Sequence, residues 1–117
     1  MTPDQITAIA AAGESETIEF KKSTAEKDRA CRTLCGFANG NGGRLLFGVT
    51  PSGRVVGQVV GDRTLEELAR EFQGFEPPLF PAVYRVAIGA EREVLALTVA
   101  RGARAPVAFR GVAYERV

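Results

Sequence analysis

Two glutamates, Glu14 and Glu19, lie five positions apart at the beginning of an alternating segment. Ile18 and Phe20 alternate with Glu19 and Lys21, which predicts a half-buried strand with one apolar face. Glu14 would then lie at the entrance to the strand, and the two carboxylates could hold a hard divalent cation through oxygen ligands. The alternative is a solvent-facing ion pair between Glu19 and Lys21, which would contribute little stability.

A glycine-rich loop with a basic neighbour, Arg44, is the second candidate site. Successive backbone N–H groups in such a turn can form a concave anion-binding site, and the guanidinium would add positive charge. The loop leads from a helix into a strand, so no helix N-terminus supports it, and it matches neither the Walker nor the dinucleotide-binding pattern. We therefore expect no ATP here, and the alternative is a helix C-cap without a ligand. The loop residues are Asn39, Gly40, Asn41, Gly42 and Gly43.

Positive charge is concentrated in parts of the chain, although the formal net charge is only +1. Residues 21–35 carry five basic and two acidic side chains, and residues 79–117 carry six basic and three acidic ones. If folding brings these stretches together, the resulting basic face would attract nucleic acid. Otherwise they are ordinary solvated charges. The side chains expected to contact phosphates are Lys21, Lys22, Arg29, Arg32 and Arg44.

Residue types that the chain lacks exclude several kinds of catalytic and metal site. There is no histidine, which excludes a Ser-His-Asp triad, a histidine general base and a histidine-ligated metal. The two cysteines, Cys31 and Cys35, are too few for a four-cysteine zinc site. Their spacing of four on a predicted helix is poor geometry for a disulfide. We expect them to be small buried side chains, with a redox pair as the alternative.

Three helices are predicted from their terminal signals. The first has a threonine N-cap and a proline at its first position, and the other two begin at capping boxes, S-T-A-E from Ser23 and T-L-E-E from Thr64. Their expected ranges are residues 3–12, 24–38 and 64–76.

The strands complete the expected fold. Residues 45–49 and 54–60 flank the turn T-P-S-G and predict a β-hairpin. A basic loop over residues 101–106 precedes the last two strands. The order of elements predicts an α/β (α+β) fold, a mixed β-sheet with two main helices packed on it. The other predicted strands are residues 15–22, 82–88, 93–100, 107–110 and 112–116.

The length of 117 residues suits one domain, residues 1–117, and is too short for two. No apolar run approaches the ~20 residues of a membrane span. The N-terminus has no basic region followed by an apolar one, which is the pattern of a secretory signal. We therefore expect a cytoplasmic protein without a membrane partner.

Several of these segments together resemble the Schlafen-type Alba-like domain, also described as a divergent AAA or DNA-binding domain. The resemblance rests on E-x-x-x-x-E-F-K from Glu14, F-A-N-x-x-G-G from Phe37, the apolar strand ending G-V at Val49, and V-x-G from Val55. It covers the chain from about residue 14 to its end. The family occurs in bacterial regulator-like proteins and in vertebrate Schlafens, and it implies a nucleic-acid-binding domain with the Alba-like fold.

Some Schlafens are metal-dependent endoribonucleases that act on structured RNA such as transfer RNA. The resemblance implies that such a site would use Glu14 and Glu19, with Lys21 beside them and magnesium or manganese as the cofactor. The family site also uses an aspartate just after the G-V strand, where this chain has Thr50 and Pro51. We therefore expect a non-catalytic DNA- or RNA-binding module, part of a transcriptional regulator, without metal or cofactor.

Two alternatives to that function remain, a nuclease of the Schlafen type and a phosphate-binding or protein-interaction module. The family pattern continues from a Y-x-R-V motif, here ending at Val117, into a glycine-serine stretch, so we expect C-terminal domains beyond this one. We also expect a two-fold dimer, because a single copy presents a short binding face. The apolar segments 94–99 and 107–109 are the surfaces expected to form it.

Overall fold

The computed structural model describes residues 1–102 and 106–116 of the chain. Helices and strands alternate as far as α3 and four strands then follow, and the expected α+β class is confirmed. A short 3₁₀ turn, Thr24–Glu26, precedes the second helix. The elements in chain order are α1 (Pro3–Ala12), β1 (Ile18–Lys21), α2 (Lys27–Ala38), β2 (Gly43–Phe47), α3 (Asp62–Phe72), β3 (Phe75–Glu76), β4 (Ala82–Gly89), β5 (Arg92–Val99) and β6 (Ala108–Phe109).

A four-stranded mixed sheet in the order β1-β2-β5-β4 forms the centre of the molecule. β1 is parallel to β2, and the remaining pairs are antiparallel. Because alternate residues of a strand point to opposite faces, the sheet carries two apolar layers. Leu45 and Phe47 pack with α2 and α3, whereas Phe20 and Leu46 pack with Ile6 of α1. We call these two sides the α2 face and the α1 face.

Local signals place the first two helices close to their predicted ranges. The Thr2 hydroxyl accepts a hydrogen bond from the Gln5 N–H, and the Gln5 side chain accepts one from the Thr2 N–H, which forms a capping box. Ser23 caps the 3₁₀ turn, so the regular helix begins only at Lys27. The Glu26 carboxylate still accepts a hydrogen bond from the Lys22 N–H, in the manner of a box.

The predicted hairpin strand over residues 54–60 is wrong. This segment makes only single bridges, Val49 to Val55 and Gln58 to Glu93, and β2 instead pairs with β5. The reason is Gly48, whose φ of 105° turns the chain out of the sheet and whose carbonyl accepts the N–H groups of residues 56 and 57. A Cβ on Gly48 would lie 2.9 Å from the Gly57 Cα, so only glycine permits this close approach.

The third helix begins and ends earlier than predicted. Gly61 is its N-cap, and Thr64, predicted as the cap, lies at the third helical position, where its hydroxyl accepts the Gly61 N–H. After the helix, β3 pairs with β6 in a separate two-stranded sheet. The predicted strand over residues 112–116 is wrong, because this segment makes only one bridge, between Phe109 and Val112.

The surfaces predicted to form a dimer are not accessible. β5 is a central strand with Val94 and Leu97 fully buried, and Phe109 of β6 is buried against Phe75. Of the predicted basic loop, residues 103–105 lie outside the described residues. None of the helices that the structure describes has the length and apolar character needed to cross a membrane.

Candidate nucleic-acid interface

Glu14 caps the outer edge of β1. The carbonyl groups of Thr17 and Lys21 accept hydrogen bonds from the β2 side, so the alternate residues Ile18 and Phe20 present their backbone groups away from β2. The Glu14 carboxylate accepts the Phe20 N–H at 2.9 Å. Glu14, the first carboxylate of the predicted metal site, is therefore a hydrogen-bond acceptor for the backbone of the strand that follows it.

Glu19 lies between two cations. Its carboxylate accepts a hydrogen bond from the Arg116 guanidinium at 2.8 Å, and its other oxygen lies 3.4 Å from the Lys21 ammonium. The three side chains are only 15–22% exposed, so solvent screens these charges weakly. The predicted Glu19–Lys21 pair is present, but it is partly buried and has Arg116 as a third member.

Arg116 was not foreseen as a partner because 97 positions separate it from Glu19. It also donates hydrogen bonds to the carbonyl groups of Ser15 at 2.8 Å and Ile18 at 3.3 Å. Its guanidinium lies 5.2 Å from the centre of the Phe37 ring. Among the described residues, no cluster of three acidic or cysteine side chains is arranged to hold a metal ion.

The glycine-rich loop caps the C-terminus of α2. The Asn39 N–H donates a hydrogen bond to the carbonyl group of residue 35, and the N–H groups of Gly40 and Gly42 donate to that of residue 37. Both carbonyl groups belong to the last turns of the helix. The Asn41 side chain donates to the Glu16 carboxylate at 3.0 Å. This geometry favours the capping alternative, because three of the five N–H groups expected to hold an anion already have acceptors.

Asn39 connects this loop to the C-terminal segment. Its amide nitrogen donates to the carbonyl groups of Val107 and Tyr114, each at 2.8 Å, and its oxygen accepts the Val107 N–H at 2.7 Å. The Cys35 thiol donates to the Val107 carbonyl at 3.1 Å. These four hydrogen bonds fix residues 107–114 against α2.

Both cysteines are buried and have raised pKa values. Burial raises the pKa of the Cys31 thiol to about 12, and the neighbouring carboxylates of Glu71 and Asp28 add to the shift. Burial also raises the pKa of Cys35. Since the thiolate is the reactive form, both thiols stay neutral and unreactive. Both are small buried side chains, as the sequence predicted, and Cys35 is also a hydrogen-bond donor.

The five basic side chains predicted to contact phosphates do not share one face. Arg44 pairs with Thr98 and lies on the α1 face, whereas Lys21 lies on the α2 face beside Glu19. Arg32 of α2 is paired with Asp28 at 2.8 Å. The remaining two, Lys22 and Arg29, are exposed.

An open groove on the α1 face gathers the groups best suited to nucleic acid. It has a volume of about 590 Å³ and runs between α1 and the uncovered part of the sheet. Arg44 lies in it together with Tyr84 of β4, whose side chain is 49% exposed. Sequence reasoning missed Tyr84, because an aromatic residue in a predicted strand fits a core position equally well. The lining residues are Met1, Gln5, Ala8, Ile9, Arg44, Tyr84 and Thr98.

The family described as Schlafen, AlbA_2 matches residues 14–117. The chain belongs to this family. The matched region includes every strand of the central sheet and begins at the glutamate that caps β1.

Two solved structures have a similar fold. The N-terminal domain of a RecG-related protein from Nitrosomonas europaea superposes with a TM-score of 0.65 at 24% identity, over 97% of this chain and 86% of that one. The DIP2311 protein from Corynebacterium diphtheriae superposes with a TM-score of 0.58 at 19% identity, over 92% of this chain and 23% of that one.

One position of this Schlafen, AlbA_2 domain departs from the acidic pattern that the sequence comparison implied. Thr50 accepts the Arg54 N–H at 3.0 Å and lies 2.9 Å from the Ser52 hydroxyl. These contacts close the turn after β2, together with the hydrogen bond that the Gly53 N–H donates to the Thr50 carbonyl. A hydroxyl group thus stabilises the turn where a third carboxylate was expected.

Proposed function

We propose that this Schlafen, AlbA_2 domain is a non-catalytic module that binds DNA or RNA along the groove on the α1 face. The observation that carries the proposal is the exposed Tyr84 ring in the same groove as the Arg44 guanidinium. None of the described residues that line this groove is a carboxylate, so Arg44 presents its positive charge there without an acidic neighbour in the lining. Family membership supports a nucleic-acid-related role, and the groove supplies its chemistry.

The two side chains recognise different parts of a nucleotide. A guanidinium binds phosphate through charge-assisted hydrogen bonds, and an aromatic ring stacks on any base. Thr98 and Gln5 also line the groove and add a hydroxyl and an amide group. Such a combination favours single-stranded or unpaired nucleotides, because their bases are free to stack.

The nuclease alternative has less support in this geometry. Glu19 is held by Arg116 and Lys21, and one oxygen of Glu14 accepts the Phe20 N–H. To bind magnesium, these carboxylates would have to exchange existing partners for the ion, and no third acid in the described part of the chain joins them there. We therefore propose binding without cleavage. Phosphate capture by residues 39–43, the remaining alternative, would likewise require N–H groups that already cap α2.

Fluorescence anisotropy with labelled single-stranded, double-stranded and hairpin DNA and RNA tests the proposal. We expect micromolar affinity that is weakly dependent on sequence and falls with salt. Arg44→Gln should lower the salt slope by about 0.7–0.9, the contribution of one phosphate. Tyr84→Ala should weaken single-strand binding about tenfold, within the roughly 1–3 kcal/mol of base stacking.

The matched control is Arg70→Gln, which removes the same charge from an exposed position on α3, on the other face of the sheet. It should leave affinity nearly unchanged. Absence of binding to every probe at about 50 mM salt, where phosphate contacts are strong, would contradict the proposal. Equal losses in Arg44→Gln and Arg70→Gln would place binding outside the groove.

A further inference from the structure

Among the described residues, no strand or backbone hydrogen bond covers the outer edge of β4. The N–H and C=O groups of Glu93 bond to Gln58, on the side of β5 that faces away from β4. Bonding direction alternates along a strand, so Val94, Ala96 and Thr98 bond to β4 through their partners Val86, Tyr84 and Ala82. Val83, Arg85 and Ala87 consequently direct their backbone groups outward, at the end of the sheet.

The other edge of the sheet is closed by side chains. β1 has four residues, the Glu14 carboxylate accepts its outward Phe20 N–H, and Arg116 donates to the outward Ile18 carbonyl. Natural proteins commonly cover edge strands in such ways to prevent unintended pairing. β4 has none of these features, because it has eight residues and contains no proline.

The charge pattern of β4 also permits pairing. Its single charged side chain, Arg85, forms two hydrogen bonds with the Glu93 carboxylate at 2.8 and 2.9 Å. Hydrogen bonding from Arg85 lowers the pKa of the Glu93 carboxyl below its usual value. Apolar side chains are exposed nearby, with Phe80 86% exposed, Tyr84 49% and Val83 36%. Edge protection by unpaired charge is thus absent in this part of the described chain.

We propose that β4 pairs with β4 of a second copy, antiparallel and about a two-fold axis at Tyr84. The ladder between β4 and β5 is regular from Ala82 to Ala87 and shifts between Ala87 and Gly89, so an axis at Tyr84 pairs residues 82–86 of the two copies within the regular part. In this register the outward groups of Val83 and Arg85 bond to those of Arg85 and Val83 in the second copy. The two Arg85 side chains then face valines instead of each other, which avoids like-charge opposition.

A second copy suits this edge better than an unrelated strand. The edge supplies its own complement, because a strand that pairs antiparallel with itself matches every donor with an acceptor by symmetry. Its two-fold axis is perpendicular to the sheet, so the α1 faces of both copies lie on one side. Both Tyr84 rings would then be cross-strand neighbours on that side, flanked by one Arg44 from each copy.

The mass in solution tests the pairing. At tens of micromolar protein, light scattering coupled to size exclusion should give twice 12.5 kDa. Val83→Pro removes an outward N–H and keeps the bonds between β4 and β5, so it should give one chain mass with unchanged circular dichroism. Val83→Thr retains that N–H and should remain dimeric. A wild-type mass of one chain at this concentration would overturn the proposal.

Disulfide trapping tests the register. Tyr84→Cys places two cysteines at a non-hydrogen-bonded pair, with Cα atoms about 4.5 Å apart, which a disulfide can span. Mild oxidation should give a covalent dimer on a non-reducing gel. Ala82→Cys, whose predicted neighbour is Val86 of the second copy, should not. Equal cross-linking of both variants, or of neither, would overturn the Tyr84-centred register. The native cysteines are at most 1% exposed and do not interfere.

These measurements contain no nucleic acid, so failure of the proposed binding would not change them. Conversely, a monomeric Val83→Pro variant that still binds a short single strand would leave the groove proposal intact. The pairing of β4 and the proposed nucleic-acid binding are therefore tested independently.

Discussion

At the scale of single residues, substitutions of Glu14 test whether its role is structural or metal-binding. Its carboxylate accepts the Phe20 N–H at the edge of β1. Glu14→Ala removes that acceptor and should lower the free energy of unfolding by about 1 kcal/mol. Glu14→Gln keeps an acceptor oxygen and should cost less. Urea unfolding monitored by circular dichroism measures both changes.

The same titrations with magnesium decide between the two roles. A capping carboxylate gives the same unfolding midpoint with and without the ion. A metal ligand would make the wild-type protein more stable in magnesium, because a ligand that binds only the folded state raises its stability. Magnesium-dependent stability that disappears in both Glu14 variants would contradict the capping role.

Single side chains differ in how well the sequence predicts their surroundings. The cysteines were predicted to be buried because helical spacing places them with Leu34 on one apolar stripe, and this is confirmed. Arg116 could not be assigned to Glu19, since the pairing depends on how the last segment crosses α2. A Cβ on Gly36 would lie 3.1 Å from the backbone nitrogen of Arg116, which shows how closely the last segment passes α2.

At the scale of elements, Asn39 is the main attachment of the C-terminal segment to α2. Asn39→Ala would remove the acceptor of the Val107 N–H, in a residue that is 3% exposed, and the amide donor to the carbonyl groups of Val107 and Tyr114. We expect a loss of about 2 kcal/mol in the free energy of unfolding, since buried groups without partners are costly. Denaturant unfolding measures the loss.

Asn41→Ala is the control for this prediction. Asn41 is in the same loop, but it is exposed and makes one side-chain hydrogen bond, to Glu16. Its substitution should change stability by no more than about 0.5 kcal/mol, as for most surface positions. Similar losses in the two variants would show that Asn39 does not fix the segment.

Elements were predictable where a local signal determines them. The N-cap at Thr2 with Pro3 after it, and the alternation around Phe20, gave α1 and β1 close to their observed bounds. The hairpin prediction was wrong, because residues 54–60 resemble a strand locally. The position beside β2 that was predicted for this segment is occupied by β5, which begins at Arg92. β5 pairs with β2 through fully buried positions such as Leu95 and Leu97.

At the scale of the whole molecule, the combined geometry predicts no cleavage of RNA. The two glutamates are engaged by Phe20, Lys21 and Arg116, and a threonine occupies the expected position of a third acid. Two carboxylates alone hold magnesium weakly. Purified protein incubated with transfer RNA and magnesium or manganese should leave the RNA intact on a denaturing gel.

The Glu19→Gln variant is the control for contaminating nuclease. Cleavage by the wild-type protein that is lost in this variant would show that the carboxylate is catalytic, and it would favour the endoribonuclease alternative. Cleavage that persists in the variant would come from another protein in the preparation.

The unequal edges of the sheet set a limit on how many copies can join through it. Glu14 and Arg116 already bind the outward Phe20 N–H and Ile18 carbonyl of β1, whereas the outward backbone groups of β4 have no such side-chain partners among the described residues. In the proposed pairing, each chain would therefore add one strand, at β4 only. Two chains paired in this way would have no open β4 edge left, so the proposed assembly would close at two copies instead of growing into a fibre. Loss of both caps would give each chain a second open edge and permit open-ended polymers.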